Sequence, residues 1–339
     1  MTILVTGGLG YIGSHTVVEL LQNNFEVVII DDLSNTEKFI LKNIEEITGK
    51  KPFFYPFDLK RKELLKQVFD AHKIEGCIHF AAYKAVGESQ VKPIDYYENN
   101  LFSLINLLQE FKERNISNFI FSSSCTVYGQ ADKMPIDEET VLKLPESSYG
   151  KTKQMGEEIL KDFAIAHQKK VTLLRYFNPI GAHPTAKLGE LPIGIPNNLV
   201  PYVMQTAAGV REKLSIWGDD YPTEDGTAIR DYIYVVDLAK AHVKALQKLI
   251  SENSETLVDI YNLGTGKGSS VLEVVHAFEK ANDVAVPYQI CERRAGDITI
   301  AYANADKAEK ELGWKSETSL EEALRTVWQW QKYLETREI

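Results

Sequence analysis

An α/β fold, with a doubly wound parallel sheet and a smaller α+β unit at its C-terminal end, is what this sequence predicts. Two observations carry that reading. Up to Phe177, short apolar runs alternate with helical patterns, and the runs are nearly continuous in apolar residues. Strands covered on both faces by helices have that character. After Phe177 the rhythm stops and a proline-rich stretch takes over.

The predicted strands are ILVTG (3–7), EVVIID (26–31), PFFYPFD (52–58), GCIHFAA (76–82), NFIFSSS (118–124) and VTLLRYF (171–177). Helical spacing fills the gaps, as with Ile12, Val17, Leu20 and Leu21 after the first run. One long helix is expected from Pro93 to Arg114, with Ile94, Tyr97, Leu101, Leu104, Leu108 and Phe111 on one stripe. Another starts at Ser147 or Ser148, either of which caps it, and carries Met155, Ile159 and Phe163. Such helices either cover the sheet or form the face of a homodimer.

Residues 178–201 hold five of the chain's twelve prolines and no periodicity. So long an irregular segment reads as a functional loop. Short elements follow, including LSIWG (214–218), RDYIYVVDLAKAHVKAL (230–246), DIYNLG (259–264) and SVLEVVHAFEKA (270–281). They are too few for a second βα half. The expected division is 1–177 and 178–339, with segments interwoven near the boundary.

Composition narrows the partners. With 44% hydrophobic and 25% charged residues the chain is ordinary for a globular protein. A net charge of -10 disfavours nucleic acid and anionic membranes, so an anionic ligand must be held by a few local cations. Cys77, Cys125 and Cys291 are far apart, with no CxxC pair. That usage predicts a reduced, cytoplasmic protein without a disulfide framework or metal site. No basic stretch precedes an apolar run at the start, and no run reaches membrane-spanning length, so neither leader nor anchor is expected.

The first strand runs into Gly7, Gly10 and Gly13 and then a helix. Glycines there let the chain turn, let backbone approach a pyrophosphate, and let helix and strand pack closely, as in a Rossmann-type dinucleotide site. The spacing is GxxGxxG, one residue longer than the common dehydrogenase turn. Asp31 ends the second strand, where an acid accepts hydrogen bonds from an adenosine ribose. With Asp32 beside it, a 2′-phosphate is repelled, so the expected cofactor is NAD rather than NADP.

Tyr149 and Lys153 stand four residues apart, on one helix face. Among 16 tyrosines about one such spacing is expected by chance, so context decides its weight. A free phenol titrates near 10, leaving roughly a thousandth ionised at neutral pH. A neighbouring ammonium, a positive nicotinamide ring and a helix N-terminus all favour the phenolate, which accepts a hydroxyl proton as hydride leaves the same carbon. Ser122, Ser123 and Ser124 end the fifth predicted strand, the edge where such sheets bind ligands. Ser124 is the serine expected to hydrogen-bond substrate hydroxyl and phenol together.

TGGLGYIGSH, Asp31, SSSCTVYG and YGKTK together resemble the extended short-chain dehydrogenase/reductase family. RYFNPIGAHP, GIPNNLVPYV, DYPTEDGTAIRDYIYVVDLA, YNLGTG and RRAGD are similar to blocks of its nucleotide-sugar 4-epimerases. The resemblance runs nearly end to end. It implies NAD contacts at Gly7, Gly10, Tyr11, Ile12, Gly13, Asp31, Asp32, Leu33, Ser34, Asn35, Thr36, Asp58 and Leu59. Phe80, Ala81, Ala82, Tyr83, Lys84, Asn99, Ser124, Tyr149, Lys153 and Phe177 complete that set. For a UDP-sugar it implies Lys84, Ser124, Tyr149, Asn178, Asn198, Leu199, Ser215, Trp217, Arg230, Arg294 and Asp297. Two arginines suit a diphosphate, and extended backbone beside Trp217 suits a uracil.

The implied reaction is reversible epimerisation at C4 of UDP-glucose and UDP-galactose, by a homodimer. Tyr149 takes the 4-hydroxyl proton, NAD takes the hydride, and the 4-keto sugar turns over before both return. Some family members carry a bulky tyrosine four residues after the acid of the RxGD block, where this chain has Ala301. Less bulk leaves room for a 2-acetamido group, so UDP-N-acetylhexosamines are expected substrates too. Three rival readings share the sheet. A 4,6-dehydratase needs an Asp-Glu pair where this chain has Cys125–Thr126. A UDP-glucuronate 4-epimerase differs in a few contacts to a carboxylate, and a non-catalytic NAD sensor has no need of Tyr149 and Lys153.

Overall fold

The apolar runs become six strands of one parallel sheet in the computed structural model, which describes residues 1–251, 256–294 and 297–337. Seven strands lie in the order Val258–Leu263, Val171–Tyr176, Phe119–Ser122, Ile74–His79, Thr2–Thr6, Glu26–Ile30 and Phe53–Tyr55. Every pairing among them is parallel. Ile3, Leu4, Val5, Val28, Ile29, Ile78, Ile120 and Leu173 are fully buried, because helices cover both faces. The doubly wound, Rossmann-like α/β sheet expected from the sequence is present.

One strand was misplaced. The DIYNLG run was expected in the C-terminal unit, yet Val258–Leu263 is the seventh strand of the main sheet, in register with Val171–Tyr176. The helix Val235–Ile250 before it packs on the helix Tyr11–Gln22. A six-residue run pairs wherever its apolar side chains find cover, and Tyr261 and Leu263 find it against the sheet core. The chain therefore returns to the first unit well after residue 178.

The remaining strands are short and frame the carboxyl edge of the sheet. Asn178–Ile180 pairs with Tyr232–Tyr234, and Leu214–Trp217 with Tyr288–Cys291. Ile229–Arg230 lies between Ser269–Ser270 and Ile300–Ala301. From Gly181 to Asn198 the backbone is irregular apart from one bridge, Ala182 to Gly189. Among the described residues, no helix is long and apolar enough to cross a membrane, and no group of metal-binding side chains occurs.

The long helix spans Pro93–Glu113, with proline at its start, where a missing N–H costs nothing. Its buried side is Tyr96, Leu104, Leu107, Leu108 and Phe111, whereas Ile94 of the expected stripe is exposed. The second helix, Ser148–His167, is capped by Ser147, whose hydroxyl accepts from Gly150 N at 3.1 Å.

His79 ends the fourth strand, stacked on Phe121, with Nδ1 2.7 Å from Thr6 Oγ1. Burial pulls its imidazole down to about 3, and the charge of Lys153 adds to that. Between about 6.5 and 3 the unfolded chain binds a proton that the folded chain refuses, so stability falls as pH falls through this window. Going from pH 7 to 5 is expected to cost about 2 kcal/mol through this side chain alone. Urea midpoints at the two pH values, compared with those of His79→Gln, read the difference. An equal pH dependence in both proteins would refute it.

Candidate active site

The glycine loop is shaped for a close anionic ligand. Gly7 has φ +66°, and a Cβ there would stand 2.8 Å from Ala81 N. A Cβ on Gly13 would lie 2.1 Å from Gly7 O, so only glycine lets the helix Tyr11–Gln22 reach the loop. Gly10 caps that helix without a side-chain acceptor, which leaves its first-turn N–H groups to serve an anion. Asp31 is buried, accepting from Leu9 N and Leu33 N, each at 3.0 Å. Burial raises its carboxyl, and those two N–H bonds oppose the rise. The acid thus braces the glycine loop. Thr36 Oγ1 donates to Leu9 O at 2.7 Å, tying the same loop down, and Asp32 accepts from Ser34 N at 2.9 Å, with Asn35 exposed beside it. A pyrophosphate dinucleotide fits this cradle.

The rest of the expected cofactor set lines the same edge. Asp58 accepts from Lys60 N at 2.8 Å, and Leu59 O from Asn106. Phe80, Ala81, Ala82, Tyr83 and Lys84 follow the fourth strand as partly buried or exposed loop. Asn100 fixes that loop by bonding both Tyr83 N and Tyr83 O, and Asn99 donates to Asn100 at 3.1 Å. Tyr11 OH donates to Gly181 O at 2.7 Å, Ile12 is partly buried, and Phe177 is buried with its N–H on Leu263 O.

Tyr149, Lys153 and Ser124 come together as expected. Lys153 is buried, its Nζ 2.6 Å from Ser122 O and 5.9 Å from the centre of the Tyr149 ring. Ser124 Oγ accepts from Thr126 N at 3.2 Å and shares a 3.0 Å bond with Thr126 Oγ1. The resting electrostatics differ from the expectation of a ready phenolate. Burial pushes the Tyr149 phenol up to about 12, with the Ser124 hydroxyl pulling it down, and burial lowers Lys153 to about 7. Desolvation outweighs the pair's own attraction, so an acidic phenol needs further positive charge at this site.

The expected substrate residues form two groups. Arg230 Nη2 lies 3.5 Å and Arg294 Nε 3.2 Å from the Asp297 carboxylate, and Arg294 sits 5.8 Å from the centre of the exposed Trp217 ring. Ser215 shares the strand Leu214–Trp217, and Ala301 pairs with Arg230 in backbone register. Ala295 and Gly296 of the RRAGD block lie outside the described residues. Asn178 N donates to Asp231 O at 2.9 Å. In the second group, Glu190 Oε1 accepts from Lys84 Nζ at 3.0 Å and from Asn198 Nδ2 at 2.8 Å, just before Leu199 begins a helix.

Three acids were missed by reading the sequence. Glu190 holds Lys84 and Asn198 together but sits in an irregular segment without a pattern. Asp231, fully buried, accepts from Thr265 N, Gly266 N and Ala303 N and so gathers the loops around Arg230. Glu157 stands four residues after Lys153 on the same helix face; extending the Tyr149–Lys153 spacing one step would have found it.

A family model described as GDP-mannose 4,6 dehydratase matches residues 4–327. The UDP-glucose 4-epimerase of Bacillus subtilis is 51% identical over 332 residues, covering 98% of this chain and 97% of that one. The chain belongs to the UDP-glucose 4-epimerase family. Among solved epimerases, that of Bifidobacterium longum in complex with NAD+ and UDP superposes with a TM-score of 0.94 at 47% identity, covering 98% of each chain. That of Stenotrophomonas maltophila, with bound NAD and formylated UDP-arabinopyranose, gives 0.95 at 44% identity over 99% of each. The family model carries a dehydratase's description, whereas these nearly full-length relatives and solved neighbours are 4-epimerases.

Proposed function

We propose that this protein interconverts UDP-glucose and UDP-galactose by reversible epimerisation at C4, with NAD as a resident cofactor. The observation that carries this is the meeting of Tyr149, Lys153 and Ser124 at the sheet edge that also holds the glycine cradle. Bound NAD supplies a hydrogen acceptor and donor at C4 of the sugar and a positive ring charge that opposes the burial of the phenol. Tyr149 removes the 4-hydroxyl proton and later gives it back, and Lys153 holds the phenolate with its charge. Ser124 bonds the same sugar oxygen. Gly7, Gly10, Tyr11, Ile12 and Gly13 hold the pyrophosphate, Asp31 the ribose. Arg230 and Arg294 take the diphosphate, and the backbone of Ser215–Trp217 the uracil. In this reading most of the recognition falls on the UDP, which leaves a 4-keto ring free to turn.

Ala301, small and 8% exposed beside Arg230, extends the substrate range to UDP-N-acetylhexosamines. The working form is a homodimer. Phe102, Ile105 and Met155, on the two long helices, are 54%, 38% and 45% exposed, an apolar face that a second copy would cover. Three free cysteines agree with the reducing cytoplasm.

Incubating purified protein with UDP-galactose and no added cofactor tests the central claim. UDP-glucose is the expected product. A chain that forms none, with or without added NAD, does not carry out this reaction.

A further inference from the structure

The strand end Ser122–Ser123–Ser124 is wired residue by residue to one face of the helix Ser148–His167. Lys153 Nζ donates to Ser122 O at 2.6 Å, Ser123 Oγ donates to Glu157 Oε1 at 2.5 Å, and the Ser124 hydroxyl bears on the Tyr149 phenol. Tyr149, Lys153 and Glu157 follow one another at intervals of four, one turn apart. Glu157 is 0% exposed. Arg175, from the neighbouring strand, clamps it with Nε 2.8 Å from Oε1 and Nη2 2.5 Å from Oε2. Arg175 Nη1 donates onward to Tyr128 OH, which donates to Asn262.

Two opposite charges in a fully buried place cost much desolvation, and apolar residues of similar volume would serve stability as well. We infer that Glu157 is a positioning residue for the epimerisation proposed above. Its carboxylate holds a negative charge beside Lys153 and, through Ser123, locks the strand end in register with Tyr149.

Lys153 is surrounded by few charges. On its own helix it faces Tyr149 and Glu157; from the sheet come His79 and, behind Glu157, Arg175; Cys125, Tyr96 and Tyr176 bear on Tyr149. Tyr96, Tyr149, Tyr176 and Cys125 are all raised by burial and His79 is lowered, so none carries charge near neutrality. Against the burial that lowers Lys153, Glu157 is the group that raises it.

Glu157→Gln leaves Arg175 uncompensated, adding positive charge beside both catalytic groups, so the pKa values of both fall. The kcat profile against pH, measured with UDP-galactose, is expected to move to lower pH by about one unit, with KM within about twofold. Ser123→Ala keeps the ion pair and is expected to lower kcat about threefold without moving the profile. Lower activity in Glu157→Gln with an unmoved profile would make the role merely structural and overturn the inference. Should that variant not fold, Glu157→Gln/Arg175→Met still takes the carboxylate away from Lys153, and its profile must move in the same direction by a smaller amount. An ultraviolet titration of the phenol, read as the difference from Tyr149→Phe, must show the same acid shift. That readout needs no turnover, so it separates failure of this inference from failure of the epimerase reading.

Discussion

Tyr149→Phe is expected to lower turnover of UDP-galactose by about a thousandfold while leaving NAD content and folding unchanged. The substitution removes one oxygen from a ring held by the helix Ser148–His167, and the ring stays in place over Lys153. What disappears is the proton acceptor. Positioned acid–base groups contribute about 10²- to 10⁴-fold, and neither neighbour replaces the phenol: Ser124 is bonded to Thr126, and Cys125 is pushed up to about 11 by burial. The cofactor cradle is built from Gly7, Gly10, Gly13 and Asp31, on the opposite flank of the sheet edge, and should not respond. Initial rates on purified variant, with NAD released by denaturation and quantified, decide the matter. A rate within tenfold of the parent would remove Tyr149 from the mechanism, and loss of NAD together with rate would make it a binding residue instead.

The parts of this site legible in the sequence were those whose chemistry forces a local pattern. A glycine must occupy Gly13, because any Cβ would collide with Gly7 O. A tyrosine and lysine that act on one atom must share a helix face, hence the spacing from Tyr149 to Lys153. Buried parallel strands must be apolar throughout, and the inner five of the first six were found for that reason, while Phe53–Tyr55 lies partly exposed at the sheet edge. What escaped depends on contacts between distant segments. Val258–Leu263 gives no sign that its partner is Val171–Tyr176, because pairing is settled by register and cover rather than by composition. Glu190 reaches Lys84, 106 positions away, and Asp231 bonds residues from 34 to 72 positions away, without helical or strand periodicity. The resting state of the phenol was also hidden. Its balance turns on burial, which the Tyr149–Lys153 spacing does not encode.

Ala301→Tyr is expected to turn a broad epimerase into a narrow one. Ala301 is packed with Val127, Tyr128, Phe177 and Ala303, and Cys125 lies against the same cluster. Its backbone is committed to the neighbouring strand: it is in register with Arg230, and its carbonyl accepts from Asp231 N at 3.1 Å. A phenol added there cannot be absorbed by backbone movement without disturbing Arg230 and Asp231, and close packing leaves it no space behind. It must enter the volume beside Cys125 and Phe177, where the sugar is proposed to turn. A hexose, which needs less room, should keep its rate within about threefold, while the acetamido sugar should lose about a hundredfold. Rates for UDP-galactose and UDP-N-acetylglucosamine, measured on both proteins, give the ratio. The parent chain should use the two within about tenfold of each other. If it uses the acetamido sugar more than about a thousandfold more slowly, or if the ratio is the same in Ala301→Tyr, the small residue at 301 does not set the substrate range.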